Sequence, residues 1–421
     1  MPALPQTAAL DSSLAFISDP YRFIAHECHR LGTDAFETRL MFEKAICMTG
    51  PEAARLLYDT ERFERRGAMP GLVVRTLLGK GGVQGLDDAE HLHRKTMLMS
   101  LMTPDRIESL ADQTAAEWTA AAERWAGRDE VVLFDEACEV LARAVCAWAG
   151  VPLPESDVDK RTRQLTLLFN GAGSIGWRHV ASRIARKRAN AWAEGLVEDV
   201  RAGRLQPAEN TAAHVISWHR TLDGQLLDAH IAGVDLLNIL RPVVAIAVYV
   251  AFIGHALHAH PAVRDAIAGG AGDAAAERFV QEIRRVYPFF PAVAARVRHD
   301  FTWEGYTFPK GRRVILDLYG TDQDPRTWDD PEDFRPERFK SWDESPFNFI
   351  PQGGGDHFEN HRCAGEWITI RLMKETSRFL AGLPYRVPEQ DLQVDFSRLP
   401  ALPKSGLVLR DVGRPAPTAQ A

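Results

Sequence analysis

The chain has 421 residues, of which 45% are hydrophobic, so it can bury a large core. Its 50 basic and 57 acidic residues give a formal charge of −7, which argues against a nucleic-acid backbone as a partner. The five cysteines are widely scattered and form no CxxC pair. This pattern predicts no disulfide framework and a reducing, cytoplasmic location.

Neither the ends of the chain nor its hydropathy indicate export or a membrane span. The first residues lack a basic region followed by an apolar run, so we expect no signal peptide. The longest apolar run, 243–254, has about twelve residues against the ~20 of a spanning helix, so we expect no integral membrane segment. Without a linker or repeat, the sequence predicts a flexible N-terminus at 1–9, a single domain at 10–413 and a flexible tail at 414–421.

Apolar residues at helical spacing predict that most of the chain is helical. The predicted helices cover 104–126, 134–149, 183–202, 226–258, 277–287 and 365–383. Strand patterns are short and late: 301–308 and 313–318 predict a hairpin, and 407–409 predicts one more strand. The sequence therefore predicts a mainly α fold with a small β annex.

The most apolar predicted helix, 226–258, contains an arginine followed by a proline, Arg241-Pro242. A guanidinium is charged at neutral pH, and a buried ion without a partner is strongly unfavourable. Pro242 lacks the amide that would bond the carbonyl of Asn238, so we expect the helix to kink or open there. Such an arginine can bind a planar carboxylate through two hydrogen bonds. An internal salt bridge, for example to Asp235, is the alternative.

Two motifs that contain arginine follow this helix. Glu282 and Arg285 form an ExxR pattern, which alone is a common surface pair worth ~0.2–0.5 kcal/mol. Later in the chain, 334–339 reads Phe-Arg-Pro-Glu-Arg-Phe and contains Arg335 and Arg338.

The most specific segment is the glycine-rich loop 349–365, which ends in His-Arg-Cys-Ala-Gly and leads into the last predicted helix. Three consecutive glycines allow a backbone to lie flat against a planar group. Cys363 stands just before the helix, where the helix dipole and free amides favour a thiolate. A buried structural cysteine is one alternative. A zinc site with His357, His361 and Cys363 is another, but it would need a fourth ligand.

Taken together and in this order, the ExxR, Pro-Glu-Arg-Phe and Cys-x-Gly motifs resemble those of the cytochrome P-450 superfamily. The resemblance implies the cytochrome P-450 fold, with haem b between the long central helix and the cysteine loop with the last helix. Cys363 would be the axial ligand of the haem iron, since a thiolate ligand favours O–O cleavage. Glu282, Arg285 and either Arg335 or Arg338 would lock the core beneath the haem, a structural role.

The central helix points to one branch of this superfamily. Ordinary members carry an acid–alcohol pair there, and this chain has none. Its motifs are similar to those of the bacterial fatty-acid peroxygenases, above all the α-hydroxylating ones. Departures are Ala364, where the branch usually has proline, and the Phe-Glu-Asn of 358–360. The similarity is carried by 19–23, 63–70, 79–87, Arg241-Pro242, 316–320, 351–357, 361–363 and 400–406.

This resemblance implies hydroxylation of long-chain fatty acids at the α (2-) position, with some β product, driven by hydrogen peroxide without a redox partner protein. The substrate carboxylate, held by Arg241 beside Pro242, would replace the missing acid–base pair. Gln84 would face the haem. Members that decarboxylate fatty acids to terminal alkenes tend to carry histidine there, so we expect hydroxylation to dominate. A decarboxylase, a monooxygenase that depends on redox partners, and a zinc-containing or haem-sensing binding protein are the alternatives.

Two further sets of residues receive a role from the resemblance alone. The alternative is a solvated helix face for the first set and plain core packing for the second. The candidates for pairing with the haem propionates are His91, Arg94, Lys95 and His361. The candidates for the acyl tunnel are Leu78, Val83, Phe169, Phe289, Phe290 and Ala292.

Overall fold

A computed structural model describes residues 3–174 and 176–414. The mainly α architecture with a small β component is confirmed. The α-helices are α1 Ser13–Ser18, α2 Phe23–Leu31, α3 Pro51–Leu57, α4 Gly71–Val73, α5 Asp88–Met99, α6 Pro104–Trp125, α7 Leu133–Ala149, α8 Val158–Asn170, α9 Trp177–Arg201, α10 Ala212–Ser217, α11 Ala229–Ala245, α12 Ala247–Ala259, α13 Pro261–Ala268, α14 Asp273–Val286, α15 Leu318–Asp322 and α16 Glu366–Gly382. A π-helical turn, Val74–Leu78, and short 3-10 turns at Val83–Gly85, Glu155–Asp157 and Pro336–Lys340 lie between them.

The strands form one five-stranded sheet and two small ribbons. They are β1 Ala35–Leu40, β2 Glu43–Met48, β3 Phe63–Glu64, β4 Val131–Val132, β5 Ala292–Val297, β6 Phe301–Trp303, β7 Tyr306–Phe308, β8 Arg313–Asp317 and β9 Val408–Leu409. The sheet has the order β1-β2-β8-β5-β3, in which only the β2–β8 pair is parallel. The ribbons are β4–β9 and β6–β7.

The predicted hairpin of 301–308 with 313–318 is wrong. Segment 301–308 is itself a hairpin, because Glu304 and Gly305 both adopt positive φ and turn the chain between β6 and β7. β8 instead lies between β2 and β5, and all five of its residues are buried. A short apolar run without alternation is typical of such a central strand.

The predicted central helix, 226–258, is two helices. α11 continues through Pro242 and ends at Ala245, and α12 begins at Ala247. The break falls at Ile246, four residues beyond the proline that was expected to open the helix. Together, Ala229–Ala259 are apolar and long enough to cross a membrane, but 94% of their most apolar window is buried inside the protein. They form part of the core, packed against α7, α9 and α16.

Part of the N-terminal end is packed against the fold. Within the segment predicted to be a flexible N-terminus, Leu4 is buried and Gln6 bridges to Glu37 of β1. Met1-Pro2 and, in the predicted tail, residues 415–421 lie outside the described residues. The division into one domain at 10–413 stays a prediction.

Candidate active site

Cys363 lies at the end of the glycine-rich loop, three residues before the start of α16. Its amide donates to the carbonyl oxygen of Gln352 (3.1 Å), which closes the loop. The side-chain Nε2 of Gln352 lies 3.7 Å from Cys363 Sγ and donates to Thr369 Oγ1 (3.1 Å). Burial, followed by the nearby carboxylate of Glu366, raises the pKa of the Cys363 thiol. The sulfur therefore has a defined orientation and one side-chain donor directed at it.

The glycines of this loop serve its own packing. Gly353 and Gly355 have positive φ values of 93° and 78°, which favour glycine. A Cβ at Gly353 would lie 2.9 Å from Tyr58 Oη, and one at Gly354 would lie 2.6 Å from the carbonyl of Pro346. Protein atoms therefore fill the space that a Cβ would take at these glycines, and the expectation that the loop lies flat against a planar group stays a prediction. Gly365 differs, since a Cβ there would meet nothing within 4 Å.

These features fit a haem-thiolate centre. Cys28, Cys47, Cys138 and Cys146 are buried, and Cys363 alone among the five cysteines is partly accessible. The backbone amide of Gly365, beside which there is open space, hydrogen-bonds to that accessible sulfur. The zinc alternative is not supported, since no group of three or more His, Cys, Asp or Glu within 3–174 and 176–414 could hold a metal ion.

A cluster of histidine and basic side chains lies at one edge of the loop. The rings of His91 and His361 are stacked, with centroids 3.8 Å apart, and His361 Nε2 lies 2.9 Å from the carbonyl oxygen of Leu86. Burial lowers the pKa of His91 to about 4, with Lys95 adding to the effect. Burial also lowers the pKa of Lys95 to about 8, and its Nζ donates to the backbone oxygens of Asn360 and Arg362.

Of the four propionate candidates, His91, Lys95 and His361 therefore lie together beside the cysteine loop. Sequence reasoning missed Arg65, whose buried guanidinium donates to the carbonyl of Ala294 (2.8 Å). Burial, and then the charge of Arg65, lower the pKa of His361. The basic pair in Phe-Glu-Arg-Arg at 63–66 was the available signal. The propionate roles themselves stay predictions.

Arg94, the fourth candidate, forms a buried ion pair. Its Nη1 lies 3.0 Å from Asp235 Oδ2, and its Nη2 donates to the carbonyl of Gly81 (2.7 Å). Burial raises the pKa of Asp235 to about 6, although Arg94 opposes this. A propionate would have to share Arg94 with Asp235. The same pair removes Asp235 as the internal partner considered for Arg241.

Arg241 is a buried cation in α11, with only 7% of its surface exposed. Its Nη2 donates to Asn238 Oδ1 (3.3 Å), and its Nε has no hydrogen-bond partner. Within the part of the chain that the structure describes, no carboxylate forms an ion pair with it. Burial, and then repulsion from Arg186, lower the pKa of Arg241 to about 9, whereas Cys363 acts in the opposite direction.

Gln84 is connected to Arg241 through Asn238. Asn238 Nδ2 donates to Gln84 Oε1 (3.3 Å), so one amide side chain bridges the predicted carboxylate site and the loop before α5. A Cβ on Gly82 would lie 2.8 Å from Asn238 Nδ2, so glycine permits this close approach. Sequence reasoning did not assign a site role to Asn238.

The motif predicted to lock the core is formed, with Arg338 as its third member. Arg285 donates to both carboxylate oxygens of Glu282 (2.8 Å each), and Arg338 Nε donates to Glu282 Oε1 (3.1 Å). Arg335 contributes only its backbone amide, 2.7 Å from the same oxygen, while its side chain pairs with Asp330. The sequence left Arg335 and Arg338 as equal candidates.

A second buried cluster joins α14 to the start of α16. Glu366 accepts hydrogen bonds from Arg284 and Arg362 and lies 3.0 Å from His357 Nε2. Burial alone would raise the pKa of Glu366, but Arg284, His357 and Arg362 hold it well below its usual range. His357, a candidate zinc ligand in the sequence, is thus a partner of Glu366. No sequence signal indicated this cluster.

The tunnel candidates are distributed around the helical core. Val83 and Phe169 are buried, Leu78 and Ala292 are partly buried, and Phe289 stacks on Tyr249 with centroids 4.4 Å apart. Phe290 packs against both the helical core and the sheet core. Their lining of a common tunnel stays a prediction.

Comparison with known proteins agrees with this geometry. The family model for cytochrome P450 matches residues 276–375. A mutant of cytochrome P450SP alpha (CYP152B1) is 53% identical, covers 97% of this chain and 100% of its own, and superposes with a TM-score of 0.95. Cytochrome P450EX alpha (CYP152N1), solved with myristic acid, is 46% identical over 98% of this chain and 100% of its own, with a TM-score of 0.95.

More distant relatives also match over nearly the whole length of this chain. A variant of cytochrome P450 OleT in complex with arachidonic acid is 36% identical, covers 99% of this chain and 100% of its own, and has a TM-score of 0.95. Protopanaxadiol 6-hydroxylase of Panax ginseng is 21% identical over 95% of this chain and 90% of its own.

The fold, the cysteine loop and the glutamate–arginine lock define a haem-thiolate oxidoreductase, and the chain belongs to the cytochrome P450 family. Within that family it falls among the CYP152 fatty-acid peroxygenases.

Proposed function

We propose that this protein uses hydrogen peroxide to hydroxylate long-chain fatty acids at C2, with some reaction at C3, in the cytoplasm and without a redox partner protein. The observation that supports it most is Arg241, a buried guanidinium whose only side-chain partner among the described residues is the neutral amide of Asn238. A buried cation of this kind is strongly stabilised by an anion that a ligand brings.

Arg241 would bind the carboxylate of the acid. A guanidinium presents donors in the planar arrangement that a carboxylate accepts, and Nε of Arg241 is free to donate. The positive charge of Arg186 adds to the positive potential at Arg241. The binding of carboxylic acids by structural neighbours is consistent with this, since P450EX alpha holds myristic acid and P450SP alpha holds (R)-ibuprofen.

The bound carboxylate would also perform the proton transfer. Haem, held by Cys363, supplies the peroxide-driven oxidation of a C–H bond when it is bound. A carboxylate oxygen fixed by Arg241 accepts a proton from the peroxide and returns it to the oxygen that leaves as water. One fatty acid and one hydrogen peroxide thus give one 2-hydroxy acid and one water. Because the carboxylate is anchored, the neighbouring C2 hydrogens lie nearest the oxidant.

α11 and Gln84, the described neighbours of Arg241 considered for proton transfer, offer no replacement for that carboxylate. α11 contains no acid–alcohol pair, and its acid, Asp235, is bound to Arg94. Gln84 contributes an amide, which does not carry protons at neutral pH, and its oxygen accepts from Asn238. This favours hydroxylation over decarboxylation, and it disfavours a monooxygenase that needs proton delivery to bound dioxygen.

The proposal is tested with purified holoprotein, myristic acid and hydrogen peroxide, without a reductase or ferredoxin. Mass spectrometry should find 2-hydroxymyristic acid as the main product, with less 3-hydroxymyristic acid. Methyl myristate is the matched control, because it keeps the chain and lacks the anion, and it should not be hydroxylated. Absence of product with peroxide, together with turnover when reductase and NADPH are added, would contradict the proposal.

A further inference from the structure

The N-terminal half of α9 exposes large apolar side chains on the surface of the protein. Trp177, Val180 and Ile184 are 77%, 56% and 49% exposed. Their spacing of three and four residues places them on one stripe of the helix. Ser182, Ala185 and Ala189 on the opposite face of the helix are buried. The apolar stripe therefore faces away from the core.

The same surface is strongly basic. Arg178, Arg183, Lys187 and Arg188 are exposed, and none of them forms an ion pair with a carboxylate in the part of the chain that the structure describes. The first acidic residue of α9 is Glu194, so 177–193 contains no negative charge. The whole chain carries a formal −7. We call this basic and apolar surface of 177–188 the stripe. Its positive charge is local, since the chain as a whole is negatively charged.

Its position relates it to the candidate site. Arg186, on the buried face of α9, donates to the carbonyl oxygens of Leu77 (3.1 Å) and Leu78 (3.4 Å), and Leu78 is a tunnel candidate. Phe169, a second candidate, lies near the end of the preceding helix, α8. One helix thus contacts the predicted tunnel on one side and presents the stripe to the surroundings on the other.

We infer that the stripe of 177–188 docks on the surface of an anionic lipid bilayer, from which the enzyme takes its substrate. Basic side chains that flank apolar ones on a helix lying in the plane of the surface are the usual means of such binding. Charge complementarity selects the occupant, because an anionic bilayer offers negative headgroups to the arginines and lysine and an apolar interior to Trp177. The substrate part of this inference rests on the proposed function; the docking part does not.

Co-sedimentation of the holoprotein with vesicles tests the docking without any turnover. The protein should partition onto vesicles of phosphatidylglycerol with phosphatidylcholine, only weakly onto pure phosphatidylcholine, and less at high salt. Arg183→Gln with Lys187→Gln should weaken the partitioning about 25-fold, from about fivefold for each basic side chain near the surface. Trp177→Ser should weaken it as well.

The matched control is Arg386→Gln with Arg410→Gln, which removes two charges that are ion-paired with Asp411 and Glu130. It should leave the partitioning unchanged. Equal binding to neutral vesicles, no binding, or an equal loss in the control would overturn the inference. So would a dimer of the free protein that Ile184→Glu dissociates, because the stripe would then bind a second copy. All variants should hydroxylate myristic acid in free solution, without vesicles, at the wild-type rate, which separates failure of docking from failure of the catalytic proposal.

Discussion

At the scale of single residues, the environment of the sulfur is defined by Gln352. Its side-chain amide is directed at Cys363 Sγ from 3.7 Å and is held by Thr369. A hydrogen bond to a thiolate withdraws electron density from it, so donors of this kind tune the potential of a bound haem.

Gln352→Ala should therefore shift the reduction potential of the bound haem to a more negative value. A net hydrogen-bond free energy of about 1 kcal/mol corresponds to about 40 mV for one electron. Thr369→Val, which leaves the amide in place but removes its second partner, should give a smaller shift. Spectroelectrochemical titration measures both, and an unchanged potential in Gln352→Ala would show that the amide does not act on the sulfur.

Residues whose chemistry is unusual for their surroundings were predictable from the sequence. Cys363 follows a distinctive loop, and Arg241 is a charge in an apolar helix. Asn238, Gln352 and Arg186 were not predictable as site residues, because amides and arginines are common and their roles depend on distant partners. Asn238 matters only because α11 places it between Arg241 and Gln84.

At the scale of elements, α14 is joined to the turn Pro336–Lys340 by the carboxylate of Glu282. It accepts from Arg285, from Arg338 and from the amide of Arg335, and it is fully buried. Because three donors share one carboxylate, its loss leaves two guanidinium groups without a counter-charge.

Glu282→Gln should therefore lower the free energy of unfolding by about 3–5 kcal/mol and reduce haem retention. Arg335→Gln is the control, since the Arg335 side chain lies at the surface on Asp330 and should contribute at most about 1 kcal/mol. Urea denaturation and the haem content of the purified proteins measure these effects. Equal losses in the two variants would refute the assignment of Arg338 as the third member of the lock.

A pH-dependent contribution to stability is expected at the start of α15. Asp317 Oδ1 accepts from the amide of Gly320 (2.7 Å), and burial raises the pKa of this carboxyl to about 7. Between about pH 4 and 7 the folded chain holds a proton there that the unfolded chain has released, so stability falls as pH rises through this range.

Asp317→Asn keeps a side-chain oxygen that can accept from the amide of Gly320, and it removes the titrating carboxyl. Its free energy of unfolding relative to the wild type should increase between pH 5 and pH 7.5, by at most about 3 kcal/mol. Denaturation at the two pH values tests this. A difference between variant and wild type that is constant with pH would mean that the carboxyl titrates normally.

Helices were predicted better than strands, for a physical reason. α6 and α16 bury one side each, so their apolar spacing is visible in the sequence, and α7 is recognisable as a long apolar run that is buried on most sides. The bounds of all three agree with prediction within one residue at each end. β1 and β2 were missed, because pairing over long sequence distances decides whether a short segment is a strand. The assignment of β8 failed for the same reason, since its partners are β2 and β5.

At the scale of the whole molecule, the apolar core brings the site together. α11 and α12 run through the interior, and Arg241 is placed there by the fold in spite of its charge. Asp235 is neutralised by Arg94, whereas Arg241 has no such partner among residues 3–174 and 176–414. Of these two buried charges in α11, one is paired internally, and the other is the one for which we propose a ligand carboxylate as partner.

Peroxide-driven turnover of myristic acid by Arg241→Ala, compared with the wild type, tests this claim most directly. We predict that kcat/KM falls at least about 30-fold, since loss of one partner of a buried charge pair costs about 2–5 kcal/mol or more. Haem content and the spectrum of the reduced carbon monoxide adduct should be unchanged. A variant that keeps its haem and hydroxylates myristic acid at C2 near the wild-type rate would contradict the account.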